Sequence, residues 1–290
     1  MRILILGCGY AGIPMGSQLR GLGHEVWGVR RDASAATELK ERGITPLIGD
    51  LTTDRFWAAL PHGFNAVITA ASSKGGGAAG YRTLYLEGTR RALNWGAGQP
   101  ITSWVHLSST SVYGQTAGEW VNEASPTEPL NETSQILVQT ERELLATAAS
   151  RDGFPVTILR SAGIYGPGRG HLFQQFVAGT AHLTGSGTRW LNMIHRDDLA
   201  RAATHCLLHP QGNRVLNTCD DEPVTERDFF QWLAERLGRP LPPSLPAEER
   251  SRKRGTTDKR VSNAALKVAL GAPLLFPTFR EGYGPLCDPG

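Results

Sequence analysis

The sequence predicts an α/β fold: a doubly wound parallel sheet with a small C-terminal lobe. Two observations carry this. Apolar runs of strand length alternate with helix-length segments over residues 3–165, the pattern of a parallel sheet with right-handed crossovers. A Gly7-x-Gly9-x-x-Gly12 turn lies between the first such run and the first helical segment, where a strand must bend sharply into a helix.

Residues 3–6 form a continuous apolar run, expected of a strand covered on both faces. A helix over 12–22 follows, stopped near Gly21 and Gly23. The second strand covers 25–29, and a helix over 33–42 ends at Gly43, a C-cap. A short strand, 45–48, precedes Gly49-Asp50, and a helix over 53–60 is closed by Pro61. Strands follow at 66–70, 103–107 and 156–159, separated by long helices over 80–95 and 134–149. Beyond about residue 166 the alternation weakens. A helix over 199–208, a strand at 214–217 and a helix over 225–237 stand out, and the proline-rich 240–246 stretch reads as a stiff linker. Residues 1–165 thus form a dinucleotide-binding domain. Residues 166–290 form a mixed substrate-binding lobe, with a segment of about 195–220 returning to the first domain.

With 40% hydrophobic and 20% charged residues in 290, the chain buries a sizeable core. A formal net charge of +3 is too mild for nucleic-acid binding. Its one dense basic run, Arg252-Lys253-Arg254, follows Glu248-Glu249 and reads as a solvated loop. Cys8, Cys206, Cys219 and Cys287 have neither metal-ligand nor paired spacing and suit reduced thiols of the cytoplasm. The N-terminal apolar run is too short for a secretion signal, and no run approaches the roughly 20 residues of a membrane span. The expected partner is a small-molecule substrate, with no metal, nucleic acid or membrane.

In the glycine turn, Gly7 permits the tight bend, Gly9 a close approach to a pyrophosphate, and Gly12 close helix–strand packing. The turn's Tyr10 and Ala11 lie beside the helix N-terminus that faces the phosphates. The second strand ends Val29-Arg30-Arg31-Asp32. Arg30 stands where an acid would bind the ribose of NAD, and a guanidinium there, with Arg31 beside it, favours a 2′-phosphate. NADP(H) is therefore expected over NAD(H), with Asp32 as the acid if the strand runs two residues longer. Asp50, Leu51, Ala70, Ala71 and Ser72 follow the third and fourth strands, at the ligand-binding end of the sheet. Asp50 reads equally well as a helix-capping residue.

With Gly49-Asp50-Leu51, the 106–114 segment (HLSSTSVYG), the 160–168 segment (RSAGIYGPG) and the 192–198 segment (NMIHRDD), the chain resembles the extended short-chain dehydrogenase/reductases. That group contains sugar-nucleotide epimerases and dehydratases. The resemblance implies a Rossmann fold, with Ser109 as the active-site serine beside Ser108. It places Ser161, Ala162, Gly163 and Ile164 beside the nicotinamide, and it suggests a homodimer through the two long helices. The group's Tyr-x-x-x-Lys pair is missing: neither residue type occurs between 114 and 160. Tyr85 replaces the usual Asn of the preceding helix, so this is an atypical member. Candidates for proton transfer are Tyr113, Tyr85 and, less well placed, Tyr165, with Ser111 as a further hydrogen-bond donor. His195 reads as a substrate contact or a loop anchor, and Arg260 as a hold for an anionic substrate group or a partner of the acidic 220–222 cluster. The leading expectation is an NADP(H)-dependent oxidoreductase of a small polar carbonyl, alcohol or nucleotide-sugar-like compound. A non-catalytic NADP(H) sensor and an epimerase/dehydratase are the alternatives.

Overall fold

The computed structural model describes residues 1–73, 75–150, 155–245 and 257–287. Seven parallel strands form the central sheet, in the order Arg214–Thr218, Val156–Ser161, Ser103–Ser109, Ala66–Thr69, Arg2–Leu6, Glu25–Arg30, Thr45–Ile48. The strand order reverses beside Arg2–Leu6, which makes the sheet doubly wound. Ile3, Leu4, Ile5 and Leu6 are all buried because helices cover both faces. Ile5 packs with Met15, Leu199 and Leu207 on one face, and Leu4 with Trp104, Leu93 and Leu144 on the other.

Several elements differ from the sequence expectation. Residues 77–96 are one helical segment, but Arg82–Glu87 is wound as a π-helix and carries Tyr85. The second helix shrinks to Ala36–Glu41, preceded by a turn that Asp32 caps by accepting the Ser34 N–H. The helix expected from Leu199 starts earlier, at Arg196. His195 caps it through Nδ1, which accepts the Asp197 N–H, and Asp197 and Asp198 lie in its first turn. Asp198 instead accepts the Leu275 and Phe276 N–H groups, tying the C-terminal turn to the main domain.

The lobe has its own aromatic core, in which Phe229 packs against Phe230, Phe279 and Tyr283. Arg196–Leu208 and Arg214–Thr218 return to the main domain, and so does Ala264–Leu270 through Leu266 and Leu270. The end of the proline-rich stretch is not a free linker: Ser244–Leu245 pairs in parallel with Leu183–Thr184. The basic run 252–254 lies outside the described residues. Among them no helix is long and apolar enough to cross a membrane. The four cysteines are buried, and none is in a disulfide. Arg90 on the 77–96 segment is paired with Glu143 on Glu132–Ala149, and none of the exposed large apolar side chains lies on either long helix.

Candidate cofactor cleft and active site

A cleft of ≈ 690 Å³ opens at the carboxyl ends of the strands, the ligand-binding edge of such sheets. Of the residues expected at a cofactor, Gly7, Gly9, Tyr10, Ala11, Arg30, Arg31, Asp50, Leu51, Ala70, Ala71, Ser72, Ser108, Ser161 and Ile164 line it. Ser109 and Tyr85 line it as well. Gly12 lies behind the wall, where a Cβ would come within 2.9 Å of the Gly7 carbonyl oxygen. Ala162 and Gly163 are off the wall, their N–H groups donating to the Thr218 and Asn192 carbonyls.

The glycine turn separates two roles. Gly7 has φ +92°, and a Cβ there would lie 2.3 Å from the Ala71 backbone. A Cβ on Gly9 would meet nothing within 4 Å. That open space on the cleft wall, beside the helix N-terminus, fits the close approach of a dinucleotide's pyrophosphate. Gly7→Ala is therefore expected to cost about 1–3 kcal/mol of stability through backbone strain, before any clash. Gly9→Ala should leave the melting temperature nearly unchanged yet weaken dinucleotide binding at least about tenfold. Thermal melts and titrations on both variants check this.

At the ribose end, Arg30 Nη1 donates to the Cys8 carbonyl at 3.1 Å and lies 3.8 Å from Glu38. Asp32 is engaged as a turn cap. Asp50 accepts from the Thr52 N–H and hydroxyl at 2.9 and 2.8 Å. The backbone bond from Thr52 does most to hold its carboxyl below the usual range, and Arg31's charge adds to it. Arg169, absent from the sequence-based candidates, also lines the cleft, its guanidinium 4.9 Å from the Tyr10 ring centre.

At the other end, Leu84, Leu107 and Leu137 form an apolar wall with Tyr81 and Tyr85. Leu137 faces the cleft from the helix expected to carry a proton-transfer pair. The Tyr85 hydroxyl accepts the Ser73 N–H at 3.2 Å, and burial pushes its pKa above 10.0. The Tyr81 ring lies 4.9 Å from that of Tyr85. Sequence reasoning missed Tyr81, although the Tyr81-x-x-x-Tyr85 spacing puts both rings on one helix face.

Several candidates lie elsewhere. Tyr113 is fully buried; its hydroxyl donates to Asn217 Oδ1 at 2.8 Å and accepts from Arg160 Nη1 at 2.9 Å. It has no path to the cleft and leaves the list of proton donors. Ser111 is off the wall too; its N–H donates to Ser109 Oγ at 3.1 Å. His195 is 3% exposed and packs on Phe276, with burial lowering its pKa, so it anchors the helix start. Tyr165 is buried against Tyr283. Arg260 is clasped between Trp120 and Trp190 and donates to the Gly118 carbonyl, away from both cleft and acidic cluster. That cluster pairs differently, Asp221 with Lys267 and Glu222 with Arg280.

The whole arrangement has relatives. Over 99% of the chain the fold matches a dTDP-glucose 4,6-dehydratase from Streptomyces venezuelae, covering 96% of that chain with a TM-score of 0.83 at 19% identity. Protein YeeZ of Escherichia coli is 28% identical over 242 residues, 82% of this chain and 84% of that protein. A 3-diazoavenalumate denitrifying reductase from a Streptomyces species is 26% identical over 310 residues, 98% of this chain and 99% of the relative. Residues 3–219 match the model of the NAD dependent epimerase/dehydratase family. With that match over most of its length, on a doubly wound sheet with a cleft at the carboxyl ends of its strands, the chain belongs to the NAD dependent epimerase/dehydratase family.

Proposed function

We propose that this protein is an NADP(H)-dependent reductase of small polar carbonyl compounds, working in the cytoplasm. The observation that carries the reading is this cleft: arginines and an open glycine turn at one end, hydroxyls on an apolar wall at the other. When bound, the nicotinamide dinucleotide supplies hydride at its C4 position. Gly9 and the adjoining helix N-terminus receive the pyrophosphate, and Arg169 adds positive charge from the opposite loop.

Ser109 is placed to donate a hydrogen bond from its hydroxyl to the substrate oxygen. Its Oγ already accepts from Ser111, and its own proton has no acceptor among the described residues. Tyr85 is the proton donor. Its oxygen accepts from Ser73, and burial keeps it protonated at neutral pH, so it is poised as an acid rather than a base. Leu84, Leu107 and Leu137 exclude water from the reacting atoms.

The preference for NADP(H) rests on the two guanidinium groups of Arg30 and Arg31 lining the ribose end, where Asp32 also lines the cleft but has one carboxylate oxygen engaged as a turn cap. Arg30→Ala is expected to weaken NADPH binding about tenfold to hundredfold, the worth of a charge-assisted contact. NADH binding should change little. Fluorescence titration with both cofactors is the test, and equal losses for the two would sink the assignment.

Leu137 facing the cleft favours a second reading, a protein that binds NADP(H) without turnover. The two divide on one assay: NADPH consumption with a panel of carbonyls supports the reductase. No consumption, with unequal affinity for oxidised and reduced cofactor, supports the sensor.

A further inference from the structure

We propose that Ser161 is a second hydroxyl donor to the substrate oxygen, so that Ser109 and Ser161 together hold that oxygen as negative charge gathers on it. The proposal rests on the reductase reading and gives Ser161 a part in the reaction.

Ser109 and Ser161 end neighbouring parallel strands and stand in register, each the Cα partner of the other. Register partners of a parallel pair send their side chains to the same face. Two residues back on each strand, Leu107 and Leu159 pack into the core that contains Leu199. With a side-chain period of two, Ser109 and Ser161 face that side as well. The residues before them, Ser108 and Arg160, face the other way, onto Glu141. Both Ser109 and Ser161 line the cleft.

The two hydroxyls also share a polarity. Ser109 Oγ accepts the Ser111 N–H at 3.1 Å. Ser161 Oγ accepts from Thr218 Oγ1, also at 3.1 Å, and Thr218 is its register partner on the next strand. Each serine therefore has its oxygen engaged by the protein and its own proton without an acceptor among the described residues. Ser161 is 5% exposed, so leaving that proton unbonded is costly unless a ligand accepts it. Neighbouring strands lie about 4.8 Å apart. One oxygen set between two hydroxyls at that spacing can accept from both at about 2.7 Å. Ser109 and Ser161 keep their protons while hydride, taken from the reduced nicotinamide and leaving it oxidised, converts the carbonyl to an alkoxide that Tyr85 protonates. Both hydrogen bonds strengthen as the oxygen becomes charged, so they lower the barrier rather than merely holding the substrate.

The test is Ser161→Ala beside Ser161→Cys, which keeps the volume and an acceptor for Thr218 but is only a weak donor. NADPH consumption with a carbonyl panel should show kcat lower by about tenfold to hundredfold in both variants. NADPH affinity, measured by fluorescence without substrate, should stay within about twofold. Acetamide, a carbonyl compound that hydride does not reduce, gives a readout apart from turnover. Its binding to the NADPH complex, followed by cofactor fluorescence, should weaken about threefold to tenfold in Ser161→Ala. Unchanged kcat in Ser161→Ala with weaker NADPH binding would assign the hydroxyl to the nicotinamide carboxamide and overturn the inference. Full kcat in Ser161→Cys with a loss only in Ser161→Ala would show that Ser161 fills space, and overturns it too. If the wild type turns over no carbonyl, it is the reductase reading that fails, and acetamide then decides the inference. Weaker acetamide binding in Ser161→Ala supports it, and unchanged binding overturns it.

Discussion

Replacing Tyr85 by Phe is expected to lower kcat about 10²–10⁴-fold, the usual worth of a positioned general acid, with dinucleotide affinity changed by no more than about twofold. The side chain lies on the cleft wall among leucines, and the Ser73 N–H fixes its oxygen as an acceptor. Phe keeps the ring and its packing and removes only the proton. The pH profile carries the same information. Burial is the chief cause of a Tyr85 pKa above 10.0, so the acid form is present through neutrality. Carbonyl reduction should be flat through neutral pH and decline only above pH 10. Alcohol oxidation needs the deprotonated oxygen and should keep rising over the same interval. A Tyr activated by a neighbouring Lys would titrate far lower, and no Lys lies on the described wall. Full kcat in Tyr85→Phe would pass the role to Tyr81, which Tyr81→Phe would then test.

The succession of strands and helices along the first 165 residues, and the strand ends that line the cleft, were legible in the sequence because both follow from local rules. Continuous apolar runs mark buried strands, and a glycine turn after the first of them marks the ligand edge. Residues at strand ends are carried to that edge by the topology itself, which is why Arg30, Asp50, Ala71 and Ser109 share one wall. The substrate end depends on contacts between segments far apart in the chain. Tyr113 follows Ser109 by four residues, yet its hydroxyl turns inward to Arg160, 47 residues away, and Asn217, 104 residues away. No periodicity reports such a choice. Tyr81 is a different case: it stands four residues before Tyr85, a spacing that puts both rings on one helix face, so its signal was present in the sequence. In the lobe, short helices such as His171–Val177 and Phe279–Cys287 depend on aromatic contacts like Phe173 on Tyr283. Short helices draw their stability from packing rather than from propensity, so little in their own sequence announces them.

Glu141→Leu is expected to destabilise the fold by about 3–5 kcal/mol, the cost of leaving one charge of a buried pair without its partner. For a chain of this size that is a drop in Tm on the order of 5–10 °C. Arg160 would keep only Tyr113 as a hydrogen-bond partner, and the Ser108 hydroxyl would lose its acceptor. The companion variant separates structural need from a preference for charge. Removing both partners, Glu141→Leu with Arg160→Met, should recover most of the loss, because two apolar side chains of similar volume leave no charge stranded. Chemical denaturation of the two single variants and the double variant closes the cycle. A single variant costing less than about 1 kcal/mol would mean that water reaches the pair.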